Sequence, residues 1–244
     1  MIIARTVSDV RRAVKAWRKE GLTVGLVPTM GYLHEGHASL VKAAKASCDR
    51  VVVSVFVNPT QFGPNEDLES YPRDFEHDCA LLEDLGTDLV FHPEPTELYF
   101  PDASTWVEVP SLAQNLCAKT RPTHFRGVCT VVSKLFHIAA PDKAFFGQKD
   151  AQQLAVIRRM VRDLNFDLEI VGCPIVREAD GLAKSSRNTY LNPKERQAAL
   201  VLNHSLKKAY SLIEAGETDT NKLLAVIKES IAAEPLAKLD YAEA

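Results

Sequence analysis

The sequence lacks most of the features that announce a specialised protein. Its five cysteines, Cys48, Cys79, Cys117, Cys129 and Cys173, are odd in number, scattered and never in C-x-x-C spacing. That excludes a zinc ribbon or thioredoxin-like centre and fits reduced, mostly buried thiols in a cytoplasmic protein. There is no G-x-G-x-x-G, so a nicotinamide or flavin site has no support, and neither a G-x-x-x-x-G-K-[ST] loop nor an H-E-x-x-H helix occurs. No apolar run approaches the length of a bilayer span; the longest clear one covers residues 51–57. The first residues, Met1 to Thr6, lack the basic-then-apolar order of a signal peptide. Basic and acidic residues nearly balance (29 against 32, net −3), so neither nucleic acid nor an anionic membrane is expected as a partner. Internal repeats and low-complexity linkers are absent too.

What is present is the composition of an ordinary globular protein, 46% hydrophobic and 25% charged over 244 residues. Residues 23–27 read as a buried strand and residues 51–57 as one covered on both faces. Residues 89–91, 105–109, 143–146 and 167–171 read as further strands. Between them fall helices: one capped by Ser8 and stopped by Gly21, one over 38–46, one from Pro72 to Leu85, one over 127–139 and one reaching Leu164. Strand alternating with helix predicts an α/β fold, a Rossmann-like parallel sheet with helices on both faces. After Pro174 the texture changes. A hairpin around Asp180-Gly181 precedes one long helix from Lys194 to about Ala215, another over 221–232, and a last strand over 239–244. The expected division is therefore 1–175 and a smaller, mainly helical α+β domain over 176–244.

Ligands of an open parallel sheet bind beyond the carboxyl ends of its strands. Polar stretches fall there at 28–37, 58–63 and 147–153, and another follows the boundary at 184–188. They hold phosphate-binding residue types (Lys149, Lys184, Ser185, Ser186, Arg187), two imidazoles (His34, His37) and the amides Gln61, Gln152 and Gln153. A strand running into a turn that opens a helix leaves backbone N–H groups unpaired, which favours anions. From spacing alone, residues 26–40 read equally well as an ordinary strand-to-helix connection. His34 and His37 lack the third ligand a zinc site needs. His124-Phe125-Arg126 reads as a binding element or as a loop before a helix, and His77, His92, His137 and His204 carry no pattern.

The motifs taken together are more specific. Pro28-Thr-Met-Gly-Tyr-Leu-His-Glu-Gly-His37, Asn58-Pro-Thr-Gln-Phe-Gly63, His124-Phe-Arg-Gly127, Phe146-Gly-Gln-Lys-Asp-Ala-Gln-Gln153 and Asp180-Gly-Leu-Ala-Lys-Ser-Ser-Arg-Asn188 resemble the pantothenate synthetase family. That family belongs to the adenylyl-transferring superfamily that also holds the class I aminoacyl-tRNA synthetases. Lys184 stands where the family has an apolar residue, Gln148 where Glu is usual and Thr123 where Gly is usual. The family's chains extend some tens of residues further. The resemblance implies a cytoplasmic homodimeric ligase that joins pantoate to β-alanine through an adenylate, with ATP as substrate and Mg2+ on its phosphates. It implies Met30, Gly31, Tyr32, Leu33, His34, Glu35, Gly36 and His37 along ATP, with His37 as proton donor. Gly147, Gln148, Asp150 and Val176 would meet the nucleoside; Lys149, Lys184, Ser185, Ser186 and Arg187 the triphosphate; and Gln61 and Gln153 pantoate. The catalytic set would be His37, His34 and Lys149, with protein ligands of the metal unknown and the C-terminal domain acting as a lid. A rival within enzymes moves AMP onto a phosphate acceptor, but such a site wants extra basic residues where this chain has glutamines. A silent nucleotide-binding protein would have lost part of the motif set.

Overall fold

Six parallel strands frame the first part of the chain: β1 (Ile2–Ala4), β2 (Val24–Thr29), β3 (Arg50–Val55), β4 (Leu89–Phe91), β5 (Lys143–Gly147) and β6 (Glu169–Cys173), in the order β1-β4-β3-β2-β5-β6. The computed structural model describes residues 1–243, and these divide into two units, Met1–Ile175 and a second beginning at Val176. The register of the central pair runs from Val24 opposite Arg50 to Thr29 opposite Val55. Residues 51–55 are all buried, as expected for β-branched residues in a strand covered on both sides.

Strand alternation sorts the core into two layers. Leu26, Val52 and Phe91 pack with Val14 and Trp17 of α1 (Val7–Lys19) on one face. The same layer takes Val132 and Phe136 of α6 (His124–Ala139) and Ile157 and Met160 of α7 (Ala151–Asp163). Val27, Val53, Val90 and Phe145 pack on the other face with Val41 and Ala44 of α2 (Glu35–Ser47) and Leu82 of α3 (Phe75–Asp84). Burying a side chain such as Leu82 or Phe91 stabilises by about 1.5–3 kcal/mol, whereas an exposed ion pair contributes about 0–1 kcal/mol. The layers, not the surface charges, therefore hold the strand ends in place. From β2 the chain winds outward through α2, β3, α3 and β4. It then passes through α4 (Pro95–Leu98), α5 (Cys117–Thr120) and α6 to enter β5 on the other side of β2. The direction of winding reverses between β2 and β5, the crevice where open α/β sheets bind ligands.

Several local expectations are corrected. Thr6, not Ser8, caps α1, its side chain accepting from the Asp9 amide. Helix α3 starts at Phe75 behind Asp74 rather than at Pro72, because Asp74 takes the His77 amide. The edge strand β1, unmarked by any pattern, pairs with β4. Residues 105–109 form no strand: Val107 N donates to Thr130 Oγ1 of α6 (3.1 Å) where a strand would have been needed.

In the second unit, an antiparallel bridge joins Arg177 to Ala183 around Gly181 (φ +99°). The expected long helix is two, α8 (Pro193–Ala198) and α9 (Leu200–Glu214), parted at Ala199, whose carbonyl takes Leu202 N in a tighter i+3 turn. Helix α10 (Thr220–Ala232) packs on α9. Residues 239–243 form no strand, and Ala244, the end of that expectation, lies outside the described residues.

Candidate active site

The turn from β2 to α2 is strained and then pinned. Gly31 and Tyr32 both have positive φ (+85° and +51°), a conformation that disfavours side chains and costs Tyr32 about 1–2 kcal/mol. Thr29 Oγ1 accepts from Gly31 N (3.2 Å) and donates to Ser54 O (2.7 Å). Asp78 of α3 accepts from Tyr32 N (2.9 Å) and Leu33 N (2.7 Å). A Cβ at Gly31 would stand 3.0 Å from Asp78 Oδ2 and 3.1 Å from Val55 Cγ1, so glycine is needed for space as well as for φ. Asp78 is 1% exposed; burial pushes its carboxyl above the usual range, and the two amides pull back against it. Sequence reading missed this residue. The available signal was its place on the buried stripe of α3, four residues before Leu82.

Beyond the turn, the two histidines cap the helix they open. His34 Nδ1 accepts from Gly36 N (3.0 Å), and His37 Nδ1 accepts from His34 N (3.3 Å), with ring centroids 4.1 Å apart. A ring nitrogen that accepts carries no proton, so each neutral ring keeps its hydrogen on Nε2. Burial first, then the neighbouring His34 and the Lys149 ammonium, lower the His37 pKa to about 3. His37 is thus a neutral N–H donor at neutral pH rather than a charged acid. Lys149 sits on the 3-10 turn Gln148–Asp150 that leaves β5, across the switch point, with Nζ 3.5 Å from Asp150 Oδ1. Two imidazoles carrying Nε2–H groups, the amino end of a 13-residue helix and a lysine together have the chemistry that suits a polyanion. Leu33 contributes backbone only, since its side chain belongs to the core.

The opposite wall follows β3. The 3-10 turn Pro59–Gln61 presents Gln61, which is 8% exposed, with Nε2 3.2 Å from Met30 Sδ. His124 is structural: its Nδ1 meets Gln61 O at 3.0 Å, and burial depresses its pKa. Gln152 is structural as well, bonding Leu112 O, Asn115 O and Cys117 N. Gln153 lies in the first turn of α7 beside it. A cavity of about 310 Å³ behind the turn is lined by Met30, Gly31, Phe75, Asp78 and His92 among others. Two of its polar groups are already engaged, Asp78 by two amides and His92 Nδ1 by Val55 O (2.6 Å).

Val176 and residues 184–187 lie in the second unit. There Lys184 Nζ pairs with Glu178 (2.9 Å), and Ser185 caps the 3-10 turn Ser186–Tyr190 by accepting from Arg187 N. Ser186 is buried and Arg187 exposed. Asp180 is braced by Arg196 of α8 at 2.9 Å.

The family model described as pantoate-beta-alanine ligase matches residues 2–244. A pantothenate synthetase of Clostridium acetobutylicum is 57% identical over 243 residues, 100% of this chain and 86% of that protein. One of Enterococcus faecalis is 58% identical with the same coverage. Among solved structures, the pantothenate synthetase of Thermus thermophilus matches at a TM-score of 0.93 and 46% identity, over 99% of this chain and 86% of that one. The pantoate-beta-alanine ligase of Francisella tularensis, solved with beta-gamma ATP and beta-alanine, matches at a TM-score of 0.80 and 36% identity, over 95% of this chain and 86% of that one. With its motifs, parallel sheet and capped histidine pair, this chain belongs to the pantoate–β-alanine ligase family.

Proposed function

We propose that the protein condenses (R)-pantoate with β-alanine to pantothenate, using ATP and releasing AMP and diphosphate through a pantoyl adenylate. The observation that carries the reading is the pair of helix-capping imidazoles at the switch point, with Lys149 acting on the same space. A carboxylate is a poor electrophile, so it must first gain a leaving group. One pantoate carboxylate oxygen attacks the α-phosphorus while the bond to the bridging oxygen breaks, and charge moves onto the departing diphosphate. Neutral N–H donors from His34 and His37, the amides opening α2 and the Lys149 ammonium stabilise that charge where it develops. The β-alanine amine, as free base, then attacks the acyl carbon; the bond to AMP breaks and the surplus proton leaves to solvent.

Within this reading Met30, Gly31, Tyr32, Leu33, Glu35 and Gly36 border ATP, largely through backbone. Gly147, Gln148, Asp150 and Val176 take the nucleoside, and Gln61 and Gln153 take pantoate. Neutral amides suit the last task, because a bidentate arginine would hold the carboxylate tightly and blunt it as a nucleophile. Residues 1–175 bind ATP and pantoate. The second unit serves as a lid whose Lys184, Ser185, Ser186 and Arg187 clamp the triphosphate, keeping water from the adenylate. Among the described residues no group of three or more His, Cys, Asp or Glu is arranged to hold a metal. Mg2+ would enter with the nucleotide and neutralise phosphate charge, as is usual for that ion. The protein works in the cytoplasm; no helix among the described residues is long and apolar enough to cross a membrane.

The decisive assay has two parts: diphosphate release from ATP that requires pantoate, then AMP release that requires β-alanine. Diphosphate release that ignores pantoate, or that needs a phosphate-bearing acceptor instead, overturns the proposal. The enzyme acts as a homodimer, so light scattering should return twice the 27.0 kDa of one chain. A monomer mass at working concentration refutes that part alone.

A further inference from the structure

We propose that Gly127, Asn58 and Tyr99 form a positioning relay that fixes which end of the Gln61 amide faces the substrate, making Gln61 an obligate hydrogen-bond donor. The inference rests on the reading of Gln61 as a pantoate contact and goes beyond it, since it says what chemistry the substrate must offer there.

The starting point is a backbone carbonyl. Asn58 is 1% exposed, and its Nδ2 lies 3.2 Å from Gly127 O in α6. A carbonyl oxygen only accepts, so the Asn58 amide has one admissible orientation, NH2 towards the helix. Its other side agrees. Oδ1 accepts from Tyr99 Oη (2.8 Å) and Thr60 Oγ1 (3.0 Å), and burial pushes the Tyr99 pKa up, which keeps that hydroxyl a donor. The second hydrogen of Nδ2 goes to Gln61 Oε1 (3.1 Å). With its oxygen thus turned inward, Gln61 has its NH2 group at the opposite end. There its partner is Met30 Sδ at 3.2 Å, and a thioether is a weak acceptor. A nearly buried donor satisfied only by sulfur is set for a stronger acceptor.

Glycine is what lets the carbonyl reach. A Cβ at Gly127 would stand 2.4 Å from Thr60 O and 2.6 Å from Gln61 N, both backbone atoms. The 3-10 turn bearing Gln61 rests directly on the helix backbone, so the polarity of a substrate-facing side chain is set by a main-chain atom that cannot rotate. The relay demands an acceptor, a carboxylate or hydroxyl oxygen, and rejects an analogue that presents a donor in its place.

Asn58→Asp reverses the relay: a carboxylate cannot donate to Gly127 O, accepts from Gln61 Nε2 instead, and turns the Gln61 oxygen to the substrate. We expect N58D to lower kcat/KM for pantoate by about 10- to 100-fold, the range for a lost hydrogen bond to a charged acceptor, with KM for ATP unchanged. Tyr99→Phe removes one of two donors to Oδ1 and should raise pantoate KM by roughly three- to tenfold, again leaving KM for ATP alone. Should N58D fail to fold by circular dichroism, Tyr99→Phe carries the test. Because the relay acts only through Gln61, N58D in a Gln61→Ala background should cost nothing further. Independent losses in the double variant, or unchanged pantoate kinetics in both single variants, overturn the relay while the pantoate role of Gln61 stands. Full pantoate kcat/KM in Gln61→Ala by itself overturns that role instead.

Discussion

Replacing His37 with alanine should slow pantoate-dependent diphosphate release by about 10²- to 10³-fold, the usual cost of removing a donor from a developing anion, and leave pantoate binding nearly unchanged. The separation follows from the geometry. His37 and His34 spend their Nδ1 atoms on the amino end of α2, so the edge each can offer is Nε2–H, at the helix end that attracts anions and not on the Gln61 wall. Calorimetry with pantoate alone separates the possibilities: a loss that appears in pantoate affinity would move His37 off the phosphates. Glutamine at the position, able to donate from a similar reach, should recover part of the rate.

The same residue has a pH signature. Its folded pKa is about 3, below the 6.5 of an unperturbed histidine, so between those values the unfolded chain binds a proton that the folded chain refuses. Stability therefore rises with pH across that window. The His37 contribution is complete above about pH 6.5 and is lost as pH falls towards 3. Allowing for its partial exposure, the difference should reach about 2 kcal/mol by pH 4. Urea titrations of wild type and His37→Gln should converge on acidification; parallel curves would mean that burial does not hold this imidazole neutral.

Asp78→Ala is expected to cost stability and activity together. It strips two charge-assisted hydrogen bonds from the half-buried Tyr32 amide and the buried Leu33 amide, at about 1–3 kcal/mol each. Removing a carboxylate that was itself costly to bury offsets some of that, so a net loss of about 2–4 kcal/mol is expected in denaturant titration. The activity effect is separate. Tyr32 holds a left-handed conformation that its side chain disfavours, and with the clamp gone the turn relaxes and carries His34 and His37 away from their caps. Adenylation should fall in Asp78→Ala even at low temperature, where the protein remains folded. Asp78→Asn is the sharper probe: it keeps shape and one acceptor but sets an NH2 against the other amide. Wild-type adenylation in Asp78→Asn would mean that the turn does not need its second anchor.

Much of this is legible in the amino-acid sequence. The β-branched run at 51–57 predicted a central strand, and residues 50–55 are one. The residues from Pro28 to His37 read as a strand that turns into a helix, and the strand end, the turn and the helix stand there. Those readings succeed because side-chain periodicity reports which faces are buried, and because glycine, proline and capping residues act on backbone within a few positions. Residues 105–109 show the limit. Their alternation is a strand's, yet a strand also needs a free edge beside it, and α6 takes that segment's Val107 amide instead.

By itself the sequence determined the α/β class, the family and the list of polar residues available for chemistry. Only the tertiary structure decided how those residues are set to act: His37 neutral, Gln61 turned donor-outward, the Gly31–Tyr32 turn clamped. Each depends on partners distant along the chain. Asp78 reaches Leu33 across 45 positions and Asn58 reaches Gly127 across 69. The physical reason is that protonation state and amide polarity are set by which donors and acceptors crowd a buried atom, and folding, not spacing, brings them there.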